Sequence, residues 1–138
     1  MRTPHNRTDM SYRANYATLS IQKLLGPEKD TLDVPWAEYA GDTTDGYDFE
    51  SPSEDVVDPY LQLQAFDVEE YTHEIMLNGE PLTGFDIPPS EGWQTWMDTI
   101  TGRELQAGEN TLGVKRDTDT DDAFVVGSVI VHWREPTS

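Results

Sequence analysis

Short segments in which apolar and polar residues alternate constrain the fold of this chain more than any other feature. Leu19 and Ile21 alternate with polar residues, and so do Leu61, Leu63 and Ala65. A period of two is the pattern of a β-strand that buries one face. Turn residues separate such segments at intervals of about 8–12 residues, which is typical of all-β domains. The sequence therefore predicts an antiparallel β-sandwich or jelly roll of about eight strands.

Other segments differ in how deeply they are expected to lie. Leu32, Val34 and Trp36 alternate around a proline, which predicts an edge strand because proline cannot donate a ladder hydrogen bond. Residues 47–49 predict a short strand within a loop rich in Gly, Asp, Ser and Pro. Residues 123–133 (AFVVGSVIVHW) are apolar on both faces, which indicates a central strand that is buried on both sides.

Two turn motifs stand out in the second half of the chain. Residues 74–82 (EIMLNGEPL) contain Asn78-Gly79, the strongest short hairpin motif, because both turn positions need a positive φ. Residues 105–112 (LQAGENTL) predict a second tight turn.

These two motifs resemble those of a known class of domain. Residues 74–82 resemble the "v-x-v-N-G-x-x-l" hairpin of galactose-binding-like β-sandwiches, and residues 105–112 resemble their later "L-x-x-G-x-N-t-l" turn. Trp96 and the closing strand at residues 124–133 follow the usual order of such domains, so the resemblance extends over residues 60–135. Such domains occur as accessory modules of glycosidases and in other sugar-binding proteins, which implies a binding role. The whole chain also resembles a small family of uncharacterised acidic haloarchaeal proteins.

The charge of the chain indicates where it works. There are 27 acidic and 9 basic residues, a formal net charge of -18. Such a charge makes the folded state repel itself, and molar salt screens most of that repulsion because the Debye length falls to about 3 Å. A disordered acidic tail would be the alternative, but the acids are spread through the chain among apolar residues. The composition therefore favours a halophilic, haloarchaeal protein or one from a virus of such a host.

The same charge excludes some partners. Binding to nucleic acid needs clustered Lys and Arg, and an anionic membrane surface attracts basic segments. No apolar run approaches the roughly 20 residues of a membrane span, and the N-terminus lacks the apolar segment of a signal peptide. We therefore expect no nucleic acid, no membrane insertion, and a location in the cytoplasm of a high-salt cell or in a virion.

The N-terminus departs from the acidic character of the rest. Residues 1–13 carry Arg2, Arg7 and Arg13 against one acid. We interpret this segment as a polar basic arm that docks onto an acidic partner, followed by a single β-sandwich domain over residues 14–138. A frayed terminus is the alternative.

Candidate ligand-binding residues are aromatic. Trp93, Tyr47 and Trp36 could stack on sugar rings, and Trp93 follows a loop rich in Pro and Gly that could present it. The alternative is packing in the core or on the sheet, since aromatic side chains bury large areas.

The acidic segment DTDTDD is a candidate metal loop. Asp117, Asp119 and Asp121 could offer oxygen ligands to Ca²⁺, although the segment lacks the Gly and Glu that an EF-hand loop needs. The alternative is a solvated hairpin loop. No other cofactor is expected, and with no cysteine the chain has no thiolate site.

No catalytic motif is recognisable. The three histidines are far apart in sequence, and neither a GxSxG elbow nor a Gly-rich phosphate loop occurs. We therefore predict a non-enzymatic binding or interaction module that recognises glycan or protein. The alternative function is a structural or decorating subunit of a larger assembly, such as a haloarchaeal virus particle. A protein partner or a homo-oligomer is expected in either case.

Overall fold

Two β-sheets pack face to face in the part of the chain that the structure describes. A computed structural model describes residues 11–52, 56–82, 87–100 and 105–137. These residues form two sheets, with strand orders β2-β1-β9-β4-β7 and β3-β8-β5-β6. The strands are β1 (Tyr12–Leu25), β2 (Glu38–Gly41), β3 (Tyr47–Ser51), β4 (Val57–Val68), β5 (Glu74–Leu77), β6 (Glu80–Pro81), β7 (Ser90–Thr99), β8 (Gly108–Lys115) and β9 (Phe124–Pro136). All pairs are antiparallel except β1 with β2. The predicted all-β sandwich is confirmed.

The alternating residues of the strands form the core between the sheets. Buried residues alternate with exposed or half-buried ones along much of β1, β4 and β9, and bulges interrupt the alternation in β1 and β4. Each buried Leu, Val or Ile stabilises the fold by about 1.5–3 kcal/mol relative to an exposed one. The core includes Leu19, Ile21, Leu61, Leu63, Ala65, Ile75, Leu77, Leu112, Val114, Val129, Val131 and Trp133.

Strand β9 lies at the centre of the larger sheet, between β1 and β4. The prediction of a central strand is therefore confirmed. Burial on both faces holds only from Phe124 to Gly127, after which buried and half-buried residues alternate. The first part is covered because Leu24, Val34, Ala123 and Val125 form a second small apolar cluster there.

The edge strand predicted around Leu32, Val34 and Trp36 is wrong, since these residues form no strand. The chain turns back on itself: the Val34 amide donates to the Leu32 carbonyl, and the Ala37 amide donates to the Val34 carbonyl, each at 3.0 Å. The apolar residues here cover the outer side of the larger sheet. Their spacing therefore reflects a covering loop and not a pleated strand.

The predicted hairpin at Asn78-Gly79 is present. These residues have φ of 53° and 86° and join β5 to β6. Both positive values fit the type I′ turn that matches the twist of paired strands.

Acidic side chains concentrate on the outer face of the smaller sheet. Strand residues alternate between faces, so the acids that neighbour buried residues point outward. Glu50 lies directly opposite Glu109 in the β3–β8 register, and like charges in that position destabilise a sheet. This face carries Asp48, Glu50, Glu74 and Glu109, with Lys115 opposite Glu74.

This repulsion predicts a stability that rises with salt. Raising NaCl from about 0.1 M to about 2 M should raise the melting temperature, because the Debye length falls from about 10 Å to less than 3 Å. Replacing Glu50 with Gln should raise the melting temperature at low salt and flatten its salt dependence. Calorimetry across a salt series measures both effects. A melting temperature that does not change over that range would contradict the interpretation.

No helix in the described ranges has the length and apolar character needed to cross a membrane.

Candidate ligand-binding face

The outer face of the larger sheet is uncharged over most of its length. The registers of β1, β9, β4 and β7 place side chains in rows that run across the sheet. One row holds Tyr16, His132, Tyr60 and Thr99, the next Thr18, Ile130, Gln62 and Met97, the next Ser20, Ser128, Gln64 and Thr95, and the last Leu24, Val125, Phe66 and Trp93. None of them is Asp, Glu, Lys or Arg. We call these rows the uncharged face.

The outer faces of the two sheets differ in charge. The chain has a net charge of -18. The smaller sheet exposes carboxylates on its outer face, whereas the larger sheet exposes hydroxyls, amides and aromatic rings. Because like charges repel less the farther apart they lie, acids spread over both faces would repel each other less than acids gathered on one. A surface kept free of charge is therefore suited to contact with an uncharged molecule.

Three aromatic rings cluster at one end of the uncharged face. Trp36 reaches it from the loop between β1 and β2, Phe66 from β4 and Trp93 from β7. The ring centroids of Trp36 and Trp93 are 5.8 Å apart at an interplanar angle of 37°, and Phe66 lies 5.4 Å and 5.3 Å from them. Trp36 is 56% exposed and Trp93 is 49% exposed. The two tryptophans thus present ring surface to solvent above a phenylalanine base.

A glycine makes room for the Trp93 indole. A Cβ atom at Gly127 would lie 2.9 Å from Cζ3 of Trp93 and 3.2 Å from Cβ of Gln64. Both distances are shorter than ordinary van der Waals contact. Gly127 therefore allows the indole to lie against the sheet, and sequence reasoning missed this role.

Hydrogen-bonding groups lie beside the aromatic cluster. Nε2 of Gln22 donates to Oγ of Ser128 at 3.2 Å, and the Ser128 amide donates to Oε1 of Gln64 at 3.3 Å. Amides and hydroxyls can donate and accept at once, so this part of the face can exchange its internal bonds for bonds to a polar, uncharged ligand.

Of the three predicted ligand-binding residues, the structure brings two together. Trp36 and Trp93 are in contact, whereas Tyr47 lies in β3 of the other sheet. Tyr47 is half-buried and packs against the main core. Phe66, which completes the cluster, was missed because it reads as an ordinary member of an alternating strand.

The acidic loop is held by its own hydrogen bonds. The buried Arg116 guanidinium donates from Nη1 to the carbonyls of Asp117 at 3.2 Å and Thr120 at 2.7 Å. Oδ1 of Asp117 accepts from the Asp119 amide at 2.9 Å, and hydrogen bonds from the Thr72 hydroxyl and the Asp119 amide lower the pKa of Asp117. Within the described ranges no group of three or more His, Asp or Glu is placed to hold a metal ion. Calcium binding by Asp117, Asp119 and Asp121 stays a prediction.

The described part of the basic segment is integrated into the sheet. Strand β1 begins at Tyr12, and Arg13 contacts Glu135 through Nε at 3.0 Å and Nη2 at 2.9 Å. The Glu135 side chain is 2% exposed, and hydrogen bonds from Trp133, Asn15 and Arg13 lower its pKa despite burial. Arg13 thus compensates a buried carboxylate. Arg2 and Arg7 lie outside the described residues, so docking by the arm stays a prediction.

The buried histidine is engaged in structural contacts. Nε2 of His73 donates to Oδ2 of Asp122 at 2.7 Å, and its Nδ1 accepts from the Asp117 amide at 3.0 Å. The side chains of His73 and Asp122 are 0% and 1% exposed. Both ring nitrogens are occupied and the pair is closed to solvent, so the arrangement ties the loop after β8 to the segment before β5.

Solved structures with a similar fold include a carbohydrate-binding domain and enzymes acting on carbohydrates. The CBM36-1 domain of a multidomain xylanase from the hindgut metagenome of Trinervitermes trinervoides aligns with a TM-score of 0.57 at 9% identity, over 85% of this chain and 96% of that domain. The GH26-CBM35 β-(1,4)-mannanase of Podospora anserina aligns with a TM-score of 0.52 at 12% identity, over 89% and 28% of the two chains. The cycloalternan-forming enzyme of Listeria monocytogenes, solved with a pentasaccharide substrate, has a TM-score of 0.50 at 16% identity, over 88% and 11%.

These likenesses support the galactose-binding-like β-sandwich fold expected from residues 60–135. The chain spans less than a third of the mannanase and about a tenth of the cycloalternan-forming enzyme. No curated protein matches the sequence. Residues 13–135 match a family of unknown function, DUF7383, and the chain belongs to that family.

Proposed function

We propose that this protein is a non-catalytic carbohydrate-binding domain that binds an uncharged glycan segment on the uncharged face. Trp36 and Trp93 form the stacking platform, and the neighbouring glutamines, serines and threonines bind the sugar hydroxyls. One observation carries the proposal: two exposed indoles in contact lie on a sheet face without charge, in a chain of net charge -18.

The chemistry of the face matches that of a sugar. A sugar ring presents C–H groups on its faces and hydroxyls at its edge, so it packs on an aromatic ring while its hydroxyls bind amides and hydroxyls. The 37° angle between the indoles of Trp36 and Trp93 makes a shallow cradle for one ring. Gln64 lies beside it, and its Oε1 already accepts a hydrogen bond from the Ser128 amide.

The same face argues for binding without hydrolysis. Glycoside hydrolysis generally uses a pair of carboxylates that flank the scissile bond. The rows of the uncharged face contain no Asp or Glu. A ligand that lies on them meets no general acid and no nucleophile of that kind.

A double variant tests the proposal. Wild type should bind one or more neutral oligosaccharides on a glycan array, and replacing Trp36 and Trp93 with Ala should weaken binding at least thirtyfold. That loss corresponds to about 2 kcal/mol, typical of removing an aromatic anchor. Titration calorimetry measures the affinity, and circular dichroism checks that the fold is retained.

Tyr71→Ala is the matched control, because Tyr71 is 62% exposed and is absent from the rows of the uncharged face. It should bind as wild type does. The proposal fails if the wild type binds no neutral glycan, or if Tyr71→Ala weakens binding as much as the double variant.

A second candidate function is association with a protein through the same face. Met97 and Tyr16 are 57% and 63% exposed on it, and clustered exposed apolar side chains can mark protein interfaces. On this account the domain is a subunit of an assembly, including a haloarchaeal virus particle. Measuring the mass of the purified protein in solution across a salt series tests it, and a strict monomer at all salt concentrations would contradict self-association.

The carboxylates on the smaller sheet also indicate the medium in which the protein works. We propose that it works in a salt-rich medium, inside a halophilic cell or on a particle from one. The support is the concentration of carboxylates on the smaller sheet, where Glu50 lies directly opposite Glu109.

A further inference from the structure

A cleft opens at the end of the uncharged face opposite Trp93. It has a volume of about 630 Å³, and its lining includes Asn15, Tyr60, Thr99, His132 and Arg134. His132, Tyr60 and Thr99 belong to one row of the sheet. The cleft is therefore continuous with the proposed glycan-binding face and not a separate feature of the fold.

Stacked rings form one wall of this cleft. The rings of Tyr60 and His132 are parallel, with centroids 4.5 Å apart and an interplanar angle of 8°. Tyr16 lies 6.2 Å from His132 on its other side. Nε2 of His132 bonds Oε1 of Gln62 at 2.6 Å, which fixes the orientation of the imidazole. Aromatic rings thus form one wall of the cleft, and the C–H face of a sugar can pack on such rings.

Arg134 adds a positive charge at the rim. It follows His132 by two residues on β9, so its side chain lies on the same side of the sheet, and it is 54% exposed. In the described part of the chain its ion-pair partner is Asp58, whose Oδ2 lies 3.9 Å from Nη1, beyond hydrogen-bond distance. Its guanidinium carbon lies 5.8 Å from the Tyr12 ring centroid.

The other arginines of the described ranges are engaged differently. Arg13 bonds Glu135 directly, and the buried Arg116 bonds Asp42 at 2.7 Å. Arg134 has no such direct bond to a carboxylate, so its planar set of donors is open to a ligand. A guanidinium in this state is suited to bidentate recognition of a carboxylate.

We propose that the cleft is a second subsite for the same glycan chain and that it binds a sugar carrying a carboxylate. This inference rests on the proposed function. Along β4, Tyr60 and Phe66 are six residues apart, which corresponds to about 20 Å at roughly 3.3 Å per residue. The ligand is then a linear chain that stacks a neutral sugar at Trp36 and Trp93 and places an acidic sugar against Tyr60 and Arg134.

Matched oligosaccharides test the subsite. One carries uronic acid residues, and the other is the same chain after chemical reduction of its carboxyl groups. Wild type should prefer the acidic form by about tenfold at the lowest salt at which circular dichroism shows a folded protein, because salt screens exposed charges. Arg134→Gln should abolish the preference and leave the affinity for the reduced form within about twofold. Arg134→Lys should retain part of the preference.

Asp58→Asn provides a variant with the opposite effect. It removes the competing negative charge, and Asn accepts the φ of 52° found at this position. The preference for the acidic form should therefore increase. Each binding titration is paired with a melting curve so that loss of fold is recognised.

The outcomes separate the two proposals. Equal affinity of wild type for both oligosaccharides, or a preference that survives Arg134→Gln, overturns the anionic subsite alone. Retention of binding to the reduced form by the Trp36 and Trp93 double variant overturns the proposed function. If wild type binds neither oligosaccharide, both proposals fail.

Discussion

Replacing Asp122 with Ala should lower the free energy of unfolding by about 3–5 kcal/mol, the cost of removing one partner of a buried polar pair. Oδ2 of Asp122 accepts hydrogen bonds from the amides of Glu69 and Glu70, each at 3.0 Å, and from His73 at 2.7 Å. All three donors lose this partner in the variant. Since a domain of this size has a stability of about 5–15 kcal/mol, the change is a large fraction of the total. Urea denaturation at constant salt measures it.

The neighbouring acid provides the matched control. Asp121 is exposed, and Asp121→Ala should change the stability by less than about 0.5 kcal/mol, as is usual for surface substitutions. A value for Asp122→Ala within 1 kcal/mol of wild type, or equal to that of Asp121→Ala, would show that the buried pair does not hold the loop.

Asp122 also makes the folding stability depend on pH in the acid range. Burial raises the pKa of Asp122, but the hydrogen bonds from His73, Glu69 and Glu70 outweigh burial and leave the pKa below its ordinary value. The stabilisation is therefore fully present above the unfolded-state pKa and is lost as pH falls through the lowered folded-state pKa. Asp122→Asn should flatten this acid-side slope in a plot of melting temperature against pH.

Replacing Asn110 with Ala should lower the free energy of unfolding by about 2–3 kcal/mol. This fully buried side chain closes the turn before β8: Oδ1 accepts from the Gln106 amide at 2.9 Å, and Nδ2 donates to the carbonyls of Gln106 at 2.9 Å and Gly108 at 3.1 Å. It also accepts from Nδ2 of Asn78 in the hairpin turn at 3.1 Å. Leaving buried backbone groups without a partner costs about 1–3 kcal/mol each, less what water recovers.

Gln106→Ala is the comparison for this variant. It removes an exposed side chain that donates to the Glu109 carbonyl in the described part of the chain, and it leaves the backbone bonds of Asn110 intact. The two substitutions should therefore differ by at least 1 kcal/mol in urea denaturation. Equal effects would mean that the turn forms without the buried amide.

Local patterns predicted the strands and turns because their causes are local. Alternation at Leu61, Leu63 and Ala65 follows from a pleated strand with one buried face, and Asn78-Gly79 has the positive φ values that a tight hairpin requires. The error at Val34 has a physical reason. A loop that covers a sheet can space its apolar residues as a strand does, and only the sheet beneath reveals the difference.

The candidate site depends on long-range register, which local patterns do not contain. Trp36 and Trp93 were identified individually, but their contact and the role of Phe66 require the loop after β1 to fold over β4 and β7. A shift of one residue in any strand would exchange its faces. Composition gives only the net charge of -18. It therefore could not predict that the acidic residues and the uncharged residues lie on different faces.

Asp122 illustrates the same point for a single carboxylate. In sequence it ends the acidic segment DTDTDD and reads as one more solvated acid. In the fold it is buried against His73, which lies 49 residues away in sequence. A buried acid within an acidic segment can be recognised only when its distant partner is placed.

The central claim is that a glycan binds the uncharged face at Trp36 and Trp93, and the indole N–H signals of the four tryptophans test it most directly. Uniformly ¹⁵N-labelled protein is titrated with the neutral oligosaccharide selected on the array, and Trp→Phe variants assign the signals. The signals of Trp36 and Trp93 should move and saturate together. That of Trp133, whose Nε1 is buried and bonded to Glu135 at 2.6 Å, should stay in place. Saturable shifts elsewhere that leave Trp36 and Trp93 unchanged would contradict the account.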